Sequence, residues 1–345
     1  MKLLLEAHHP ADIHFFKFAI RKLLDRGHEI QMVARDRDVM RQLLKYYDWI
    51  PALIPKRSSA RNRFPLFEML QRQWVVARAI YAFEPDLVAS CMGSYTQSAK
   101  LFGLANVIFT DSEFQHFNHR IAHPFGSEIH TPYCFYKDLG AKQSYYHGIH
   151  EMAFLSPDRF VPDLVYVNES LGLQSRKYVL IRLSAWNTLH DINHSGIGSG
   201  IYDFLKSIEG RYQAVICAEE NALPADLRQY ALTVPPERYH DVLAGAAFVL
   251  TEGASTASEA GCLGVPTVYV NSTEPRGYLQ MLENDWNLVR SFEAPELGLA
   301  CALDWLERID AEELNQLQAV RQQLFSAHED VTEYIVRVLE SAARS

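Results

Sequence analysis

Phe248-Val249-Leu250-Thr251-Glu252-Gly253-Ala254-Ser255-Thr256-Ala257-Ser258-Glu259-Ala260, continued by Gly261-Cys262-Leu263-Gly264-Val265-Pro266-Thr267-Val268-Tyr269-Val270, reads as strand, tight turn, helix, turn, strand. Phe248 to Leu250 is a short apolar run of the kind buried in a parallel sheet. Gly253, Ala254 and Ser255 are small enough for another group to approach the backbone. A helix starting near Thr256 leaves free amide donors at the positive end of its dipole, and the hydroxyls of Ser255 and Thr256 add to them. One turn on, Glu259 is placed to meet the two hydroxyls of a ribose. The stretch is therefore a candidate seat for a nucleoside diphosphate. Read alone, it is equally the strand–helix joint of any α/β protein.

The rest of the chain repeats the same alternation. Lys2 to Glu6 is an apolar strand followed by a His-rich loop and a helix over about Ile13 to Arg26, closed by Gly27. Glu29 to Ala34 is the next strand and Val39 to Tyr46 the next helix, a βαβα opening that implies a parallel sheet. A helix over about Leu66 to Tyr81, strands over Pro85–Ser90 and Ala105–Asp111, and a helix opened by Met92-Gly93-Ser94-Tyr95-Thr96 complete the first half. Phe114 to Tyr146, rich in His, Tyr, Phe and Pro, is expected to be irregular. After a linker at Pro157–Pro162 the pattern restarts with Tyr178 to Leu183, a polar loop from Ser184 to Gly200, a helix near Ile201–Ser207, a strand Ala214–Ala218 and a short helix Arg238–Ala244. An amphipathic helix over about Thr332 to Ala343 ends the chain, with Tyr334, Ile335, Val338 and Leu339 on one face.

Composition narrows the function. The 345 residues suit two domains, and 48% hydrophobic with 22% charged residues is a globular balance. A formal net charge of −9 argues against a general nucleic-acid binder. Cys91, Cys134, Cys217, Cys262 and Cys301 are odd in number, widely spaced and free of a C-x-x-C pair, so no disulfide framework or zinc site is indicated and a reducing, cytoplasmic setting fits. The N-terminal apolar run is too short for a signal segment, and no stretch reaches membrane-spanning length.

Several constellations compete for the chemistry. His8, His9, Asp12 and His14 lie at the carboxyl end of the first strand, where open α/β sheets bind ligands; His14, with Asp12 as orienting group or alternative, is a candidate base. His190-Asp191-Ile192-Asn193-His194 spaces two histidines by four, but its Ser-Gly surround opposes a helix and no third ligand is evident. Gly253-Ala254-Ser255-Thr256-Ala257 lacks the last glycine of a nucleophile elbow, and only His328 follows as a partner. Gly196-Ile197-Gly198-Ser199-Gly200 lacks dinucleotide spacing. Arg182, ending a buried strand, has the planar fork that suits a diphosphate, with Ser184, Trp186 and Asn187 following. The basic run Lys56, Arg57, Arg61 and Arg63 with Phe64 and Phe67 has the makings of a peripheral contact with the inner face of a membrane.

With the two halves and Glu259 in view, the chain resembles the GT-B superfamily along almost its full length. It is most similar to the domain-of-unknown-function 354 family through Pro10-Ala11-Asp12-Ile13-His14-Phe15-Phe16-Lys17, Ile181-Arg182-Leu183-Ser184-Ala185-Trp186-Asn187, His190 to Gly196 and Gly253 to Ala260. The resemblance implies two Rossmann-like, doubly wound parallel-sheet domains facing across a cleft. Residues 1–156 would form the acceptor-side domain, 163–328 the nucleotide-sugar domain, and 329–345 a helix crossing back. It also implies a diphosphate on Gly253, Ala254, Ser255 and Thr256, a ribose on Glu259, and a base near Pro235, Tyr239 and His240. The acceptor side would be lined by His8, His9, His14, Asp111, Glu113, His116, Asn118 and Arg120.

Against the UDP-N-acetylglucosamine 2-epimerases, the aspartate of their Gly-Asp-Thr turn is Ser94 here. Their Glu-Glu-x-Asn-Arg motif reads Gln115-His116-Phe117-Asn118-His119-Arg120, while Glu113 matches one of their acids. The expectation is therefore a metal-independent glycosyltransferase using a nucleotide-diphosphate sugar, UDP-linked in one version, in surface or exopolysaccharide assembly, with His14, Asp12 and Glu113 as catalytic candidates and no cofactor. An epimerase or hydrolase of the 2-epimerase type and a catalytically silent binding module are the alternatives.

Overall fold

The computed structural model of the chain describes residues 1–35, 38–49, 65–184, 196–218 and 223–344. The segment carrying Lys56, Arg57, Arg61, Arg63 and Phe64 lies outside them, as do Trp186, Asn187 and the stretch His190 to His194; Phe67 falls in a first helical turn whose side chains are likewise outside. The chain divides into two compact units, Met1–Phe154 with His328–Ser345, and Leu155–Ala327.

The first unit is built on a six-stranded, all-parallel sheet: β1 (Lys2–Ala7), β2 (Glu29–Ala34), β3 (Leu87–Ser90), β4 (Ala105–Phe109), β5 (Glu128–Pro132) and β6 (Gln143–Tyr146), in the order β2-β1-β3-β4-β5-β6. Leu3, Leu4 and Leu5 are all buried, as a parallel strand covered on both faces requires. Leu4, Val33 and Val88 pack with Val76, Ala79 and Ile80 of helix Pro65–Phe83 and with Tyr95.

The segment expected to be irregular forms helix His116–Ile121 and the strands β5 and β6. Glu128-Ile129-His130-Thr131-Pro132 has one aliphatic residue inside the strand, too few to give an apolar signature. His130 is nonetheless buried because its Nδ1 lies 2.7 Å from the Tyr334 hydroxyl and its Nε2 3.1 Å from Glu128. Tyr334 belongs to the last helix, Val331–Ala342, which starts on an Asp330 cap and packs within this unit against helix Pro10–Asp25. Thr332 donates to the Ala153 carbonyl, and Arg26 bonds Glu340 at 2.9 Å.

The second unit has a five-stranded parallel sheet of β7 (Tyr178–Leu183), β8 (Gln213–Ala218), β9 (Phe248–Thr251), β10 (Thr267–Val270) and β11 (Val289–Phe292), ordered β11-β10-β9-β7-β8. Val179, Ile181, Phe248, Leu250 and Val268 share a core with Phe204 and Trp305, whose indole N–H is satisfied by Glu313 at 2.7 Å. Helix Ala254–Cys262 begins two residues before the expected Thr256. It ends on Gly264 at φ +68°, with Val265 N–H bonded to the Ala260 carbonyl, the closing bond of a left-handed cap. Among the described residues no helix is long and apolar enough to cross a membrane.

Candidate functional site

Strand order decides where each sheet can hold a ligand. In the first unit β2 lies on one side of β1 and β3 on the other, so the winding reverses between β1 and β3. In the second it reverses between β7 and β9. Crossover helices leave opposite faces at such a point, and the carboxyl ends of the two strands open there.

At the second edge, β9 runs into Gly253, the N-cap of helix Ala254–Cys262, at φ −96° and ψ 120°. No side chain caps this helix start, and its first bond from inside runs from Ala257 N–H to the Gly253 carbonyl. The amides of Ala254, Ser255 and Thr256 therefore stand ahead of the helical ladder, pointing out of the sheet edge. Thr251 Oγ1 accepts the Gly253 N–H at 2.9 Å and sets the turn.

Arg182, paired in register with Thr251, ends β7 alongside; its Nη1 donates to the carbonyls of Leu183 at 3.2 Å and Cys217 at 3.3 Å. Tyr239 OH lies 3.2 Å from Thr256 Oγ1, and burial pushes this phenol up, so it stays protonated. His240 Nε2 lies 3.2 Å from Glu259 Oε1, both side chains buried, which sets the imidazole beside the carboxylate one turn into the helix. Arg182, Tyr239, His240, Gly253, Ala254, Ser255, Thr256 and Glu259 thus gather on one edge of one unit. Ser184 joins them with its backbone N–H already committed to Glu252 at 2.7 Å.

Glu252 itself was not singled out in the sequence. Its carboxylate accepts the N–H groups of Ser184 and Ile197, each at 2.7 Å, and its carbonyl accepts Asn271 Nδ2. It pins the chain leaving β7 and the approach to helix Gly200–Ile208 against β9. Its signal was only a carboxylate beside a glycine turn, which does not name partners so distant in sequence.

The first edge is occupied by the protein's own charges. Glu6, on β1 and 3% exposed, bonds His8 Nε2 at 2.8 Å, and the Ser94 hydroxyl donates to both Glu6 oxygens at 3.1 and 3.0 Å. Ser94 Oγ is also 2.7 Å from His8 Nε2. Burial would raise the Glu6 carboxyl, but the His8 charge and hydrogen bond, with Arg72 and Ser94, hold it below the usual carboxylate range. Gly93 positions Ser94: it sits at φ +71°, its N–H donates to Ser90 Oγ at 2.7 Å, and a Cβ there would meet Ile108 Cδ1 at 2.8 Å.

The expected base candidates separate. Asp12 Oδ2 accepts the backbone N–H groups of His8 at 2.7 Å and His9 at 3.0 Å, while His9 Nδ1 accepts the Ala11 N–H. Asp12 and His9 are therefore the two halves of the box that caps helix Pro10–Asp25. His14 is buried on the second turn with its ring stacked on Phe154 at 5.5 Å. His8, expected on the acceptor side, is the histidine of this loop that the structure couples to a buried acid.

Asp111 and Glu113 follow β4 on the same edge. Asp111 Oδ2 is 3.2 Å from His150 Nδ1, and the buried Glu113 offers its carbonyl to Lys137 Nζ at 2.8 Å. Cys91, between these elements, has its thiol pushed well up by burial and by Asp12 and Asp111, which keeps it protonated. His116 and Arg120 are exposed on helix His116–Ile121, and Asn118 bonds Gln115.

No family model matches the chain, and no curated protein matches it. Solved structures do. The Methanocaldococcus jannaschii UDP-GlcNAc 2-epimerase, in complex with UDP-GlcNAc and UDP, is similar over 99% of this chain and 100% of that one, with a TM-score of 0.70 and 11% identity. S. aureus MnaA, solved with UDP, gives 0.68 over 99% and 97% at 10% identity. Acinetobacter baumannii MurG gives 0.57 over 99% and 100% at 13% identity. With the two parallel sheets, these likenesses place the chain in the GT-B fold.

Proposed function

We propose that the chain is an enzyme that transfers a sugar from a nucleoside-diphosphate donor to an acceptor hydroxyl, with the second unit holding the donor. The observation that carries this reading is the uncapped start of helix Ala254–Cys262 at the β7/β9 reversal, flanked by Arg182 and by the Glu259–His240 pair. The amides of Ala254, Ser255 and Thr256 suit a diphosphate, and Glu259, beside His240, suits vicinal ribose hydroxyls. As the sugar–oxygen bond breaks, negative charge grows on the leaving diphosphate; Arg182 and the helix start meet it there. The UDP named for the M. jannaschii and S. aureus structures supports UDP as the first nucleotide to try.

On the first unit we assign proton removal from the acceptor to His8 rather than His14 or Asp12. With Nε2–H directed at Glu6, Nδ1 is the accepting nitrogen, and the ionised Glu6 stabilises the imidazolium that forms. Asp111 and Glu113 are assigned to the acceptor side. The resemblance to the domain-of-unknown-function 354 family and the division at 1–156, 163–328 and 329–345 remain part of this reading. Surface or exopolysaccharide assembly is the setting it suggests.

Epimerisation, the reaction of the UDP-N-acetylglucosamine 2-epimerases, is the second reading, favoured by the fold likeness to the M. jannaschii enzyme. Against it stands Ser94 in place of the aspartate of their turn. Donor turnover separates the readings: nucleoside diphosphate released only when an acceptor is present supports transfer. Isomerisation of UDP-N-acetylglucosamine without acceptor supports the epimerase, and binding without turnover supports a silent module.

A further inference from the structure

Helix Pro65–Phe83 is apolar on two faces. Val76, Ala79 and Ile80 bury one of them against Leu4, Val88 and Tyr95. The other presents Leu70, Trp74 and Tyr81, which are 57%, 62% and 78% exposed. Positions 70, 74, 78 and 81 follow the 4-4-3 spacing that keeps side chains on one stripe. Arg78 closes the row, exposed, with its guanidinium 5.6 Å from the Trp74 ring centroid. Single exposed apolar residues need no explanation, but three aligned with a cation do.

Charge decides what kind of partner fits. In sequence the helix continues from a run with four cations, Lys56, Arg57, Arg61 and Arg63, and no acidic residue between Asp48 and Glu68, in a chain of net charge −9. A second copy of the chain on a twofold axis would bring one Arg78 toward the other, which like-charge repulsion opposes. A surface of anionic headgroups over an apolar interior matches both halves of the stripe. Trp and Tyr rings favour the boundary between headgroups and acyl chains, while Arg can reach phosphate oxygens above it.

We propose that the Leu70–Trp74–Arg78–Tyr81 face of this helix docks the protein on an anionic lipid surface. The docking is peripheral, and it stands whether or not the chain transfers sugar.

The test is co-sedimentation of the full chain with vesicles of phosphatidylcholine alone or mixed with phosphatidylglycerol, at low and high salt. Binding is expected to the mixed vesicles, to fall at least about tenfold in high salt, and to be weak on phosphatidylcholine. The double variant Leu70→Glu, Trp74→Glu should lower binding to mixed vesicles at least about tenfold, and Arg78→Glu by several-fold, since each cation near such a surface contributes on the order of 1 kcal/mol. Melting curves check that the variants fold. Failure of the folded wild-type chain to bind mixed vesicles, or unchanged binding by the folded double variant, overturns the proposal. So does a wild-type dimer in solution that the double variant breaks, because the stripe would then be a self-contact.

Discussion

The two sheets share a winding and a reversal point, yet they finish those points in opposite ways. At the end of β1, Glu6 turns its carboxylate toward other side chains, His8 and Ser94. Just beyond β9, Glu252 turns its carboxylate toward the backbone N–H groups of Ser184 and Ile197. The first arrangement gathers a carboxylate, an imidazole and a hydroxyl within hydrogen-bond reach of one another. The second locks two loops and leaves the amides of helix Ala254–Cys262 pointing outward. A buried acid at a strand end therefore does not announce its role; its partners do.

The comparison breaks most visibly at His8. His8→Ala should lower sugar-transfer turnover by about 10² to 10⁴-fold while leaving donor affinity within about twofold of wild type, the range general-base removal gives. Steady-state kinetics with a working acceptor would read both values. A full-speed His8→Ala enzyme would return the role to His14 or Glu113.

Glu252→Ala should act on stability instead. It strips a charged acceptor from one buried and one partly buried N–H group, for a loss of about 2 to 4 kcal/mol in denaturant unfolding. An unchanged unfolding midpoint would mean that the second edge holds its shape by other contacts.

The first unit also carries a pH signature. Burial and the neighbouring His119 lower the pKa of His123 from 6.5 to about 4. The folded chain then binds fewer protons than the unfolded chain between these values, so stability falls as pH drops through that window. The loss approaches about 3 kcal/mol below pH 4. It precedes the Glu6 contribution, which is lost only as pH falls below the ordinary glutamate value of 4.5. Urea titrations at pH 7 and pH 5 should show the drop, and His123→Phe should remove most of it.

These pairs also explain what the sequence could and could not reveal. Periodicity and turn residues sufficed for β1 to β4, for β7 to β10 and for the last helix, because long apolar runs punctuated by Gly and Pro report local structure directly. β5 and β6 escaped because His130, Thr131, Ser144 and Tyr145 give no apolar run. Burial at His130 instead comes from Tyr334, far along the chain. The strand, turn and helix of the second edge were legible because an apolar run, small residues and Glu259 lie within one stretch. The Glu6 cluster was not, because a lone acid in a parallel strand buried on both faces does not show what it pairs with, and its partner Ser94 comes from another strand end. Asp12 was readable as polar and near the edge, but the same spacing that placed it there made it the helix cap.

Calorimetric titration with UDP tests whether the β7/β9 edge of the second unit seats a nucleoside diphosphate. Wild-type chain should bind UDP at one site. Glu259→Ala, with a melting temperature near wild type, should weaken that binding at least about tenfold, the equivalent of about 1.4 kcal/mol. Wild-type affinity in the folded Glu259→Ala variant, or no binding of UDP or any other nucleoside diphosphate to the wild-type chain, would contradict the assignment.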